Sequence, residues 1–109
     1  MIASALAYNG NFHVFKAEGK KVSYTYQRKG ENAWAGGEAG KGPAAFGQFA
    51  TADSEIVGIS ATLSAGGNLH VLIDCENGKS YYTWQRKNES AWEGGEKGKT
   101  VAGLTLFAP

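Results

Sequence analysis

The chain states its pattern twice. Tyr24 to Lys41 returns 58 residues later as Tyr82 to Lys99, with 13 of 18 positions identical. Upstream, Gly10-Asn11-Phe12-His13-Val14-Phe15 returns at an offset of 57 as Gly67-Asn68-Leu69-His70-Val71-Leu72. A duplication of this period marks a supersecondary unit that stacks on its neighbours to complete a core. With 109 residues for both copies, the chain has room for one domain. The reading assigns a single domain over 1–109, built of repeats 1–51 and 59–109 joined by a linker at 52–58.

Each repeat divides into four strand-like segments. The first, Ile2 to Tyr8 and Ile59 to Ala65, carries small side chains suited to a crowded strand. Asn9-Gly10 and Gly66-Gly67 follow, pairs that supply the positive φ angles of tight hairpin turns. The second segment, Asn11 to Ala17 and Asn68 to Cys75, has apolar groups on both faces and predicts burial from both sides. A third, Val22 to Lys29 and Ser80 to Lys87, places Tyr24, Tyr26 and Arg28 on one face and Thr25, Gln27 and Lys29 on the other. A glycine-rich loop with Ala-Trp-x-Gly-Gly-Glu-x-Gly-Lys comes next, and Ala44 to Ala50 and Ala102 to Ala108 close the units. No helical periodicity is present.

The predicted fold is therefore all-β, a tandem repeat of two four-stranded antiparallel meanders. Small residues on the first strand and two-sided burial on the second suit two β-propeller blades. Two blades alone would leave apolar faces in water, so this reading expects a homo-oligomer, with a trimer of six blades favoured. The alternative is an eight-stranded antiparallel β-barrel, which would alternate polar and apolar residues along every strand.

Composition narrows function by exclusion. Eleven Lys and Arg against ten Asp and Glu give a net charge of +1, which points neither to nucleic acid nor to a membrane surface. The single Cys75 rules out an intrachain disulfide and reads as a strand thiol. No apolar run reaches the roughly 18 residues that span a bilayer, and the N-terminus lacks the basic start of a signal peptide. A soluble protein is expected, with its compartment left open.

The run Gly67-Asn68-Leu69-His70-Val71-Leu72, then Asn77-Gly78-Lys79-Ser80-Tyr81-Tyr82-Thr83-Trp84-Gln85, then a Trp and a Gly-Gly pair, resembles the sugar-binding β-propeller lectins of bacteria and fungi. The small trimeric fucose-binding lectins with two blades per chain are the nearest architectural parallel. The resemblance runs from about Ile2 to Lys41 and from Ile59 to Lys99, and leaves the last segment of each repeat without a counterpart. It implies a lectin, not an enzyme, with glycans, fucosylated ones among them, as partners.

Sugar sites stack a pyranose face on an aromatic ring and hold its hydroxyls with paired donors and acceptors. Each repeat offers that set as Arg28, Trp34 and Glu38, and again as Arg86, Trp92 and Glu96. By the resemblance, Trp34 and Trp92 are stacking platforms, Arg28 and Arg86 donors, Glu38 and Glu96 acceptors, and Tyr26 and Trp84 second walls. The residues alone allow another account, in which each tryptophan packs between repeats and each Arg-Glu pair is a salt bridge. Glu31 and Glu89 beside Glu38 and Glu96 offer paired carboxylates, but twice and in glycine-rich loops, which suits repeated binding better than glycoside hydrolysis. His13 and His70 lack a chelating neighbour and read as half-buried strand residues, so no metal or cofactor is expected.

Overall fold

The computed structural model describes residues 1–32, 34, 46–89, 91–93 and 102–109. Eight strands follow in order: β1 (Ile2–Leu6), β2 (Phe12–Glu18), β3 (Lys21–Gln27), β4 (Gly47–Thr51), β5 (Ile56–Leu63), β6 (Leu69–Cys75), β7 (Ser80–Gln85) and β8 (Thr105–Ala108). They form two antiparallel meanders, β1-β2-β3-β4 and β5-β6-β7-β8, one per repeat, with no helix and no closed barrel among the described residues.

Turn chemistry sets these meanders. Gly10, Gly19, Gly67 and Gly78 sit at the hairpins with φ of +88°, +58°, +86° and +83°, where a Cβ would be strained. The Gly-Asn pair repeated in sequence has a further job. Asn11 Oδ1 accepts a hydrogen bond from the Lys29 amide at 3.1 Å, and Asn68 Oδ1 one from the Lys87 amide at 3.0 Å. Each asparagine thereby ties the start of one strand to the end of the next. After the third strand the left-handed position is filled by Gly30 (φ +80°) in one repeat and by Asn88 (φ +68°) in the other, asparagine being a side chain that tolerates it.

The two sheets pack face to face, with β5 against β1 and β2, and the faces they use differ. In β2 the buried side chains are His13, Phe15 and Ala17, while Phe12 is exposed and Val14 half-buried. In β6 they are Leu69, Val71, Ile73 and Cys75, which stand at the repeat positions of Phe12, Val14, Lys16 and Glu18. Sheet one thus buries one face of the repeat and sheet two the opposite face. The expected two-sided burial of the second segment does not occur within one chain, because a pair of sheets shares a single interface. Phe15, Phe49, Leu69, Val71 and Ile73 are wholly buried in it, each contributing roughly 1.5–3 kcal/mol.

Between the repeats, strand β5 begins at Ile56, inside the segment 52–58 expected to be a linker. Ile56 and Ala52 are buried, and their amides donate to the carbonyls of Gly19 and Lys20 at 2.8 Å each. The connection is clamped onto the β2-β3 hairpin. Burial of the Cys75 thiol, with Asp74 and Asp53 nearby, pushes its pKa up, which suits a packing role better than a nucleophilic one. Among the described residues no helix is long and apolar enough to cross a membrane.

Candidate functional site

Where the sheets diverge at one end they leave a cleft of about 410 Å³. The first repeat contributes Tyr8, Asn9 and Asn11 from the first hairpin, with His13, Tyr24, Tyr26 and Arg28 from the buried face of its sheet. Across from them stand Leu69, Gln85, Arg86, Lys87, Asn88, Glu89 and Trp92 of the second repeat. The cleft belongs to neither repeat alone.

Four of the eight candidate residues meet here: Tyr26, Arg28, Arg86 and Trp92. Strand periodicity explains the first pair, since Tyr24, Tyr26 and Arg28 share a face, and the rings of Tyr24 and Tyr26 stack at 6.3 Å. Tyr26 also lies against His13, centroids 5.5 Å apart. The Arg28 guanidinium covers the Tyr26 ring at 5.2 Å and donates to its hydroxyl at 3.0 Å. This cation-π contact and hydrogen bond together hold the arginine head at the cleft.

Arg86 is held differently. Its guanidinium covers the Trp84 ring at 5.6 Å and forms an ion pair with Glu93 at 2.5 Å. The difference follows from two substitutions between the repeats: Tyr26 becomes Trp84, which has no hydroxyl, and Ala35 becomes Glu93, which supplies a carboxylate instead.

Trp92 returns from its loop to bridge Gln85 and inserts between the sheets. Its ring is edge-on to Phe15 at 5.7 Å and to Phe49 at 4.8 Å, and is 4% exposed. Little ring surface is left for a sugar to stack on, so Trp92 acts at the cleft as a packed wall. Trp34 bridges Gln27 in the same way but on the outer face of the first sheet, half-buried and 6.0 Å from Phe12. Trp84 stacks on Tyr82 at 5.0 Å on the outer face of the second sheet. Neither lines the cleft. Glu38 and Glu96, the expected acceptors, lie outside the described residues.

The remaining polar lining was not singled out by sequence. Lys87 reaches across the repeat boundary to place its ammonium 4.1 Å from the centre of the Tyr8 ring. Its stem passes Gly67, where a Cβ would come within 2.8 Å of the Lys87 Cδ. His13 is more buried than its sequence position suggested, at 5% exposure, and its buried Nδ1 has no hydrogen-bond partner among the described residues. Burial lowers its pKa to about 4, so the imidazole is neutral near pH 7. The repeated Gly-Asn pairs were the available signal for Asn11, while Tyr8 and Lys87 meet only through tertiary packing.

Chemically, the cleft offers an aromatic wall, the Arg28 guanidinium, one ammonium, several amides and a neutral imidazole, while the Arg86 head is drawn to Trp84 and Glu93 at its rim. Among the described residues no group of three His, Cys, Asp or Glu converges to hold a metal ion. Comparison of the chain with protein-family models, with curated proteins and with solved structures returned no match.

Proposed function

We propose that this protein is a carbohydrate-binding protein that binds without catalysis, and that the cleft between its sheets is the sugar site. The observation that carries this reading is the convergence of Tyr26, Arg28, Arg86 and Trp92, drawn from both repeats, on one concave surface. Tyr26 supplies the apolar wall, and the Arg28 guanidinium with the side-chain amides of Asn9, Asn11 and Gln85 addresses ligand oxygens. A glycan array, followed by calorimetry on the best ligand, tests it. Binding that fails when Tyr26 and Arg28 are replaced together supports the assignment; a folded protein silent across the array refutes it.

The same reading makes the chain a pair of propeller blades that joins further copies head to tail. In its support, the outer face of the first sheet carries Ile2, Leu6, Phe12 and Trp34, and that of the second Leu72, Tyr82, Trp84 and Phe107. By the repeat, these outer faces correspond to the two faces that already pack together inside one chain. A heterologous contact of this kind generates a ring when its rotation closes, and three chains supply six blades, a common propeller size. Repeated weak sites on such a ring gain avidity without new contacts. Sedimentation should give three times the 11.5 kDa of one chain. A monomer would favour a second reading, a small β module whose outer faces dock a different protein or a small apolar ligand.

A further inference from the structure

We propose that the cleft selects saccharides bearing an anionic group, a carboxylate or a sulfate, over their neutral parents, with Arg28 as the group that reads the charge. This deepens the carbohydrate-binding reading and rests on it.

The chain as a whole is nearly neutral, with a formal charge of +1. The described lining of the cleft is not: it holds Arg28, Arg86 and Lys87 against the single carboxylate of Glu89. Of the three cations, Arg86 is compensated by Glu93 at 2.5 Å, and the Lys87 ammonium lies over the Tyr8 ring. Arg28 differs from both. It is positioned by the Tyr26 hydroxyl and ring, and no carboxylate stands against it among the described residues.

That hydroxyl accepts from one of the five N–H groups of the guanidinium, which leaves the rest of the fork for a ligand. A guanidinium fork pairs with carboxylate and sulfate oxygens through charge-assisted bonds that are about twice as strong as neutral ones. The repeat supplies an internal contrast. The equivalent arginine, Arg86, has no tyrosine hydroxyl beside it and has Glu93 instead, so among the described residues a held guanidinium with no carboxylate against it is found at Arg28. Beneath it, His13 lines the cleft as a neutral imidazole with an unpartnered, buried Nδ1. The cleft thus carries a polar atom that the described residues leave unsatisfied.

The test is an array of matched saccharides (glucuronate and glucose, galacturonate and galactose, galactose 6-sulfate and galactose), followed by titration calorimetry of each bound pair at about 50 mM and about 500 mM NaCl. At least one acidic member should bind about tenfold or more tightly than its neutral parent, with the preference shrinking at high salt. The uronate and sulfate arms tell which anion is read. Arg28→Gln should bring the acidic-to-neutral ratio to about one, and Arg28→Lys should restore part of it. Lys20→Gln, the same loss of charge on the exposed β2-β3 turn, should leave the ratio as it was. Equal binding of acidic and neutral partners overturns the inference while leaving the sugar site standing, as does a ratio unmoved by Arg28→Gln. Absence of binding to any saccharide overturns both.

Discussion

The ring of Trp92 stands edge-on to that of Phe49, centroids 4.8 Å apart and planes at 89°, across the boundary between the two sheets. One backbone bond crosses beside it, from the Ala102 amide to the Phe49 carbonyl at 2.7 Å. Trp34 and Phe107 hold the equivalent places and are left without each other: Trp34 is half-buried on one outer face and Phe107 is 60% exposed on the other. The contact that joins the repeats is thus made once within the chain and left open at both ends.

Trp92→Ala should therefore destabilise the protein by about 3–5 kcal/mol, the usual range for truncating a buried aromatic. Trp34→Ala, at the same repeat position, should cost well under half as much in a dilute monomer. Urea unfolding of both variants measures the difference. Equal costs would contradict the unequal burial of the two rings.

His13 makes stability depend on pH in a defined direction. Its folded pKa is lowered to about 4 by burial, below the usual value of 6.5. Between those values the unfolded chain binds a proton that the folded chain does not, so stability rises with pH there. The contribution is complete above pH 6.5 and is lost as pH falls to about 4. It amounts to about 3 kcal/mol. Denaturant midpoints of the native chain and of His13→Gln, taken from pH 7 to pH 4, should diverge by that amount; parallel curves would show that His13 titrates normally.

Much of this architecture was legible in the sequence. Turn glycines and the match between the two repeats indicated eight strands, because a hairpin's φ requirements are local and a duplicated unit marks its own segments. Which face would be buried was not legible: β2 carries Phe12 and Val14 on one side and His13 and Phe15 on the other, and the choice depends on the neighbouring sheet. The tryptophans show the same limit. Trp34 and Trp92 are copies of one another, yet duplication copies a residue without its surroundings, and only Trp92 has a sheet to insert against. For the linker, a polar composition hid the burial of Ile56, whose partners Gly19 and Cys75 are distant in sequence. In the candidate site, Arg28 and Arg86 were singled out because each repeat sets an arginine near a tryptophan and a glutamate. Their different partners were implicit in the exchanges of Tyr26 for Trp84 and Ala35 for Glu93.

Gly10 combines two requirements that a single substitution separates. Its φ is +88°, and a Cβ there would come within 2.7 Å of the Lys29 Cδ. Gly10→Ala should cost about 1–2 kcal/mol from the backbone, with a further steric part. Adding Lys29→Ala should recover the steric part alone, since the crowding atom is on a flexible side chain. Thermal melts of the single and double variants read the two portions. No recovery would mean that the strain lies in the backbone alone.

The proposed head-to-tail contact carries its own charge test. Inside the chain, Ala17 and Val22 of the first sheet face the core together with Ile73 and Tyr81 of the second. In the contact between chains the repeat replaces Ala17 and Val22 by Asp74 and Ser80, and Ile73 and Tyr81 by Lys16 and Ser23. Each of the two meeting faces thus exchanges an apolar position for a charge, an acid on one and a base on the other. Within the chain Asp74 accepts from the Ser80 hydroxyl at 2.6 Å, and Lys16 pairs with the exposed Glu18 at 3.0 Å. Lys16→Glu would set two acids face to face, and Asp74→Lys two bases. Each should weaken assembly about tenfold or more, some 1.4 kcal/mol. The double exchange should restore it, because the pair keeps its complementarity when both signs are reversed. Sedimentation velocity across a concentration series distinguishes the four proteins. Loss of assembly in the singles without recovery in the double would show that the charges act separately, and the head-to-tail register would have to be abandoned.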